Sequence, residues 1–514
     1  MIINSVGRMI PEQIMGYKEV IPYQSPHNLN PPEQKAPGYP GKILPGENKL
    51  LPTIEEAIKK CDLRDGMTIS FHHHFRNGDY VLNMVLEQIA KKGIKDLKIA
   101  ASSIFPIHAP LLEHIKNGTV SRLSCNYMLG PVAEAMCNGA FEYPVIFRTH
   151  GGRDRAIEAG EESIDVAFIG ASAADKAGNF NGTEGPSACG SLGYSVSDCM
   201  YAKKVVVLTD YLVPYPLAPA SVEETHVDYV IKVDSVGDPA GIATGAVRMV
   251  RDPLGLYIAK LASDVIDASG LLKDGISFQT GAGGPTLAVA KFLSEKMKKR
   301  GIVGSFGSGG ITSYFVEMLQ DGLFRYLLDT QCFDTVAAKS LKENPKHIEV
   351  SSSRYANPHN KGCIVNNLDV MILGATEVDV DFNVNVHTTS DGIVIGGSGG
   401  NADTAACSKL AIVVTPAIRG RMPIIQEKVL TLTTPGETVD CIVTDMGIAV
   451  NPRRKDLEEK LLAMGLPVKN IYDLKNSIEK LTGKPEKIKT TDEVVAVVEY
   501  RNGSVIDVIR KLSN

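Results

Sequence analysis

What the sequence lacks narrows it first. No uninterrupted apolar run reaches the roughly 20 residues that cross a bilayer, and the opening MIINSVGRMIPE has no apolar signal-peptide core. Nine cysteines are scattered over the chain with no CxxC pair, which argues against a disulfide framework and for free thiols in a reducing cytosol. Neither sign of charge dominates: 54 Lys and Arg stand against 59 Asp and Glu, a net −5, so nothing draws the chain generally to nucleic acid or an anionic membrane. There is no HExxH and no spaced Cys/His set. His72–His74 are adjacent, and successive strand side chains point to opposite faces, so the triplet reads as a loop lining a polar pocket and no metal is expected. No Gly-Lys-Ser/Thr follows a glycine loop, and GAGGPT lacks the dinucleotide spacing. A soluble cytoplasmic protein is expected.

What is present is repetition. At 514 residues the chain exceeds a single core. Eight prolines fall within the first fifty positions, where they remove amide donors and favour extended backbone; this predicts a surface arm, or one that wraps a neighbouring subunit. Then Asp65-Gly66 precedes the strand-like MTISF, a loop, a helix from Asp79 to about Gly93, and the strand-like LKIAA. Asp274-Gly275, ISFQT, a glycine loop and a helix from Pro285 to about Gly301 repeat the arrangement 209 residues later. DVAFIGA (165–171) and DVMILGA (369–375) match at 204, and Lys204 and Lys409 head similar segments at 205. The expected fold is α/β: two similar domains, each a largely parallel sheet flanked by helices. The layout is a Pro-rich arm (1–50), a first domain (51–235) and a second (236–514) that ends in a hairpin through Asn502-Gly503.

Glycine collects in the second half, in 281–284, 301–310 and 392–400. Each follows a strand-like run, and bare backbone lets N–H groups approach a ligand closely. Each reads as a binding loop, against the plain alternative of a tight turn. Glu377–His387 alternates Val or Phe with Glu, Asp, Asn and His, predicting one strand with a buried apolar face. Its acids face either water or a cationic partner. SSSRYANPHNKG (351–362) offers Arg354, His359 and Lys361 for a carboxylate-rich substrate, or is a solvated loop.

LRDGMTISFHHHFRNGD, IDVAFIGASAADKAGNFNG, GPSACGSLGYSVSD, SFQTGAGGPTLAVAKFL, TEVDVDFNVN and GGSGGNAD occur in that order. With them the whole chain resembles the citrate lyase alpha subunit family, and each half more distantly resembles the coenzyme A transferase fold. The resemblance implies a transferase: acetyl-carrier protein plus citrate gives citryl-carrier protein plus acetate, and a beta subunit then cleaves the citryl thioester. No cofactor is implied on this chain itself. It would act on the phosphoribosyl-dephospho-coenzyme A arm of a gamma (carrier) subunit, for which a coenzyme A thioester is a surrogate, inside an oligomeric complex. Citramalate lyase alpha subunit and a stand-alone coenzyme A transferase or hydrolase are the alternatives. The resemblance assigns oxyanion stabilisation to Gly397, Ser398, Gly399 and Gly400, with Asn401 beside them. It assigns the carrier arm to Gln279, Gly281, Ala282, Gly283 and Gly284, and citrate to Asn357 and His387 besides Arg354 and His359. Related transferases carry a nucleophilic glutamate where this chain has VGSFGSGG (303–310), so direct exchange without an acyl-enzyme is expected. Glu377 or Glu184 is the fallback nucleophile.

Overall fold

Short runs of β-branched residues carry the architecture. VVVL in Lys204–Thr209 and the whole of Leu410–Val414 are buried, as parallel strands covered on both faces must be. The computed structural model describes residues 1–243, 250–281, 283–486 and 488–513. Numbering only the strands of the two large sheets, the first sheet takes β1 (Leu50–Leu51), β2 (Thr68–Phe71), β3 (Leu97–Ala101), β4 (Val120–Cys125), β5 (Val145–Phe147), β6 (Val166–Ala171), β7 (Lys204–Thr209) and β8 (Tyr229–Lys232). The second takes β9 (Ser277–Thr280), β10 (Gly304–Ile311), β11 (Phe324–Cys332), β12 (His347–Glu349), β13 (Val370–Leu373), β14 (Leu410–Val414), β15 (Cys441–Thr444) and β16 (Gly447–Val450). The last strands, β17 (Thr490–Glu499) and β18 (Val505–Leu512), form a hairpin.

The strand orders are β18-β17-β5-β4-β3-β2-β6-β7-β8-β1 and β12-β11-β10-β9-β13-β14-β15-β16. The block β5-β4-β3-β2-β6-β7-β8 therefore has the same order as β12-β11-β10-β9-β13-β14-β15. Only β15–β16 and β17–β18 are antiparallel within these sheets. In each block the chain reverses direction of travel between its first and fifth strands, and such a switch point opens a crevice at the strand C-termini. Helices flank the sheets. Pro285–Arg300 starts after Gly284 and stops at left-handed Gly301, while Val81–Lys91 is headed by Asp79, whose carboxylate accepts from Val81 N (3.3 Å) and Leu82 N (3.4 Å).

Three elements depart from the sequence reading. The closing hairpin, expected to complete the second domain, joins the first sheet: Ala496–Val498 pair with Val145–Phe147. Buried Glu499 meets Arg148 there (2.9 Å), so the edge of β5 is covered instead of open. The glycine-rich 304–310 is strand β10 and no loop, because the rings of Phe324 and Phe315 lie over Gly304 and Gly307 and fill the space that side chains would occupy. Glu377–His387 is a tight hairpin, Glu377–Asp379 against Val384–Asn385. Phe382 takes φ +66, and the Asp379 carboxylate accepts from Asp381 N (3.0 Å) and Asn383 N (2.9 Å), turning the chain back. The first ten residues fold back as a small antiparallel hairpin, Ile2–Ile3 against Met9–Ile10. Ile10, Ile14 and Val20 pack on Val497, Val505 and Val508 of the hairpin.

Candidate active site

A cavity of about 150 Å³ opens at the switch point of the second sheet. Gln279, Thr280 and Gly281 line it where β9 ends, Gly309 and Gly310 from β10, Thr330 and Gln331 from β11, and Met371 from β13. Gly400, Asn401 and Tyr355 close one side, and His150 and Tyr194 enter from the part of the chain that builds the first sheet. A larger groove of about 840 Å³ lies by the arm at the N-terminal ends of β7 and β8, where Lys204 and Asp228 satisfy each other at 2.8 Å. We place the chemistry in the smaller cavity, because strand C-termini and converging polar groups meet there.

Gln279 is held by its Nε2, which donates to the Tyr355 hydroxyl (2.6 Å), and among the described residues its buried Oε1 has no partner. Gln331 donates to His73 O (2.9 Å). Beneath this wall the Cys332 thiol (2.9 Å) and His347 Nε2 (3.0 Å) both reach Asp329 Oδ2, with Ser340 on His347 Nδ1 (3.0 Å). The loop 396–400 is locked to the first-sheet side. Met128 N donates to Gly396 O (3.0 Å), Gly399 N to Asn126 O (3.2 Å) and His150 N to Gly399 O (2.8 Å). A Cβ on Gly397 would overlap Asn126 O, so only glycine fits there. Among the described residues, the N–H groups of Gly397, Ser398 and Gly400 make no hydrogen bond within the chain.

His150 has a defined proton. Asn126 Nδ2 donates to Thr149 O (2.9 Å), which fixes the orientation of the amide, and the same nitrogen lies 3.2 Å from His150 Nδ1. An NH₂ group needs an acceptor, so Nδ1 is bare and the neutral ring carries its hydrogen on Nε2. Burial first, then the charges of Arg153 and Arg76, push the imidazole down to about 3, so it stays neutral at physiological pH. The rings of His73 and His150 each sit 4.8 Å from Tyr194. The Arg76 guanidinium lies over Phe333 (4.7 Å) and Phe105 (5.3 Å), the former a wall of the cavity. Arg153 forms a bidentate pair with Asp198 at 2.7 and 2.8 Å.

The residues expected from sequence divide. Gln279, Gly281, Gly400 and Asn401 line the cavity. Gly283 and Gly284 follow in the turn that starts the Pro285 helix, and Ala282 lies outside the described residues. Ser398 is buried with its Oγ 3.5 Å from His387 Nε2, and His387, pushed to about 3 by burial, bonds Thr433 through Nδ1 (2.8 Å). Neither lines the cavity. Glu377 is tied by Asn385 Nδ2 and Leu430 N (both 3.0 Å), and Glu184 pairs on the surface with Lys342 (2.7 Å). Arg354 and Lys361 are exposed, Asn357 accepts from His359 N (2.9 Å), and none of these four, Arg354, Asn357, His359 and Lys361, reaches the cavity wall. Their segment begins with the short helix Ser352–Ala356, whose Tyr355 is the member that does. Sequence reasoning missed His150, Tyr194 and Tyr355. The signal available for His150 was a histidine followed by Gly-Gly directly after the buried strand β5.

The doubled sheet is a fold seen in other solved structures. A 4-hydroxybutyrate CoA-transferase from Porphyromonas gingivalis superposes at TM-score 0.53 with 16% identity, over 84% of this chain and 96% of its own. The malonate decarboxylase alpha subunit from Acinetobacter baumannii gives 0.60 with 14% identity, over 85% and 95%. These define a coenzyme A transferase-like α/β protein. The model of the citrate lyase alpha subunit family (CitF) matches residues 47–512, and the chain belongs to that family. Citrate lyase alpha chains from Klebsiella pneumoniae (48% identity; 96% of this chain, 97% of the relative) and Escherichia coli K12 (51%; 91% of each) are similar along their lengths. The alpha subunit of citrate lyase from Streptococcus mutans, solved in complex with citrate, superposes at TM-score 0.94 with 47% identity, over 99% of this chain and all of the other.

Proposed function

We propose that the chain exchanges acetate for citrate on a carrier thioester: acetyl-carrier protein plus citrate gives citryl-carrier protein plus acetate. A citrate carboxylate attacks the acetyl thioester carbonyl, the C–S bond breaks, and a mixed anhydride and a thiolate result. The thiolate then attacks the citryl carbonyl of the anhydride and acetate leaves. Each addition places a negative charge on a carbonyl oxygen, which preorganised N–H donors stabilise. Of the glycine loop, the unbonded amide of Gly400, which lines the cavity, is the donor we assign, and Asn401 holds citrate beside it. Gln279 and Gly281–Gly284 receive the carrier arm. Arg76, held against the cavity wall residue Phe333, supplies positive charge for the tricarboxylate, a role sequence reading gave to Arg354 and His359.

One observation carries direct exchange: among the described residues, the cavity lining contains no carboxylate. An acyl-enzyme on glutamate needs one within reach of the thioester. Purified chain given acetyl-coenzyme A and citrate is expected to release acetate and form citryl-coenzyme A, with citramalate a poorer acceptor. Borohydride added after incubation with acetyl-coenzyme A alone is expected to leave every glutamate intact; reduction of Glu377 or Glu184 to the alcohol would overturn direct exchange. In the cell, we infer, the chain works in the cytoplasm within an oligomeric complex with beta (citryl lyase) and gamma (carrier) subunits. Among the described residues no helix is long and apolar enough to cross a membrane. We take residues 51–235 and 236–514 as the two domains behind the arm 1–50, with the closing hairpin lent to the first.

A further inference from the structure

We propose that His150 is a hydrogen-bond donor to the oxyanion of this exchange, and that Asn126 is the positioning residue that keeps its proton on Nε2. The inference rests on the exchange reaction proposed above. The imidazole lines the cavity, and its Nε2–Cδ2 edge faces the glycine loop: a Cβ placed on Gly399 would stand 3.6 Å from Nε2, and one on Gly400 3.5 Å from Cδ2. The Gly400 backbone, whose N–H is unbonded, and the His150 Nε2–Cδ2 edge thus adjoin at one corner of the cavity. Among the described residues nothing in the chain accepts the Nε2 hydrogen, although Nδ1 is engaged by Asn126. A donor that faces a cavity unpaired, with its partner nitrogen deliberately satisfied, is arranged to meet a ligand oxygen.

The surroundings favour donation over proton transfer. Burial, then the charges of Arg153 and Arg76, holds the ring neutral, and His73 and Tyr194 pack against it. A neutral imidazole is a poor base here, but its N–H stabilises an oxygen that gains charge, with no proton changing hands. In the first addition, the thioester oxygen takes up the C=O electron pair as the citrate C–O bond forms. It returns that pair as the C–S bond breaks, and His150 stabilises only the interval between.

Three variants of the chain and a ¹⁵N spectrum test this. His150→Phe keeps the ring packing against Tyr194 and removes the donor; kcat for exchange between acetyl-coenzyme A and citrate is expected to fall on the order of 100-fold, while KM for citrate changes by less than about threefold. His150→Gln, which returns an N–H near the Nε2 position, is expected to recover about a tenth of wild-type kcat. Asn126→Asp presents only an acceptor to Nδ1, moves the hydrogen there and turns Nε2 into an acceptor, so its kcat should fall comparably; ¹⁵N NMR of histidine-labelled protein at pH 7 should report a protonated Nε2 in the wild type and a protonated Nδ1 in this variant. Wild-type kcat in His150→Phe, or a wild-type His150 protonated on Nδ1, overturns the role. Should His150→Phe fail to fold, the Asn126→Asp rate and the tautomer still decide. A wild-type chain that performs no exchange at all sinks the proposed reaction itself, a result distinguishable from the failure of any variant.

Discussion

A buried ionisable side chain is defined by what it touches, and Asp154 shows how far that reaches. It follows His150 by one helical turn and lies fully buried. Burial raises it from 3.8 to about 7, against the pull of Arg153 and the Ser197 and Ser352 hydroxyls. A carboxyl raised on folding contributes stability that is full below its unfolded value and lost as pH rises to its folded one. Unfolding of the wild type should therefore become easier between about pH 4 and 7. Asp154→Asn is expected to remove that part of the pH dependence and to raise the urea midpoint at pH 8. A variant whose midpoint tracks the wild type across this range would count against the buried, raised carboxyl.

At the scale of elements, the closing hairpin is the one whose loss should matter most. Glu499, at the end of β17, accepts from Arg148 Nε (2.9 Å) and from the Tyr17 hydroxyl of the arm (2.7 Å). Burial alone would raise its carboxyl, but Arg148, Lys18 and Arg155 together hold it at about 2. Its contribution is present above the unfolded value of 4.5 and fades as pH falls towards 2. Glu499→Gln leaves Arg148 with Glu162 alone and is expected to cost about 3–5 kcal/mol, read as a lower thermal midpoint at pH 7 and a smaller difference from wild type below pH 3. Stability unchanged at pH 7 would mean that hairpin, arm and β5 are held by ladder bonds and apolar contacts without the Glu499 pair. The hairpin 377–385 teaches the complementary lesson. Its alternation was legible, but the reversal at Phe382 was not, because the Asp379 side chain replaces the next ladder bonds with bonds to the turn.

For the whole molecule, the junction between the two sheets is where stability and function meet. Asp403, in the helix Asn401–Ala405 next to the glycine loop, accepts from Thr149 Oγ1 (2.9 Å) and Gly151 N (3.0 Å). Its Oδ1 also lies 3.4 Å from Arg501 Nε at the hairpin turn. Gly151 also lets the helix Ser352–Ala356 pack closely on this segment: a Cβ there would overlap Ala356 O. Asp403→Ala is expected to lower the thermal midpoint and to reduce kcat more than tenfold, since the loop bearing Gly400 and Asn401 loses its anchor to the His150 segment. Full activity in a destabilised Asp403→Ala protein would show that the cavity does not depend on the junction.

Local pattern was enough for the repeated βα units, because each strand and helix is set by its own apolar period and its own caps. Thr68–Phe71, Leu97–Ala101 and Pro285–Arg300 fall where the residues place them. Each glycine cluster lends residues to the cavity lining, Gly281, Gly309, Gly310 and Gly400, although 304–310 is a strand and no loop. What only the tertiary structure decided was partnership. His150 and Asn401 are 251 positions apart, Asp403 and Gly151 meet across 252, and Glu499 reaches Arg148 across 351. Such pairs leave no local periodicity, because burial and charge pairing at a junction depend on two distant segments at once. The two similar halves could be heard in the sequence; the cavity they share, and the tautomer of the histidine that faces it, exist only once the halves are docked.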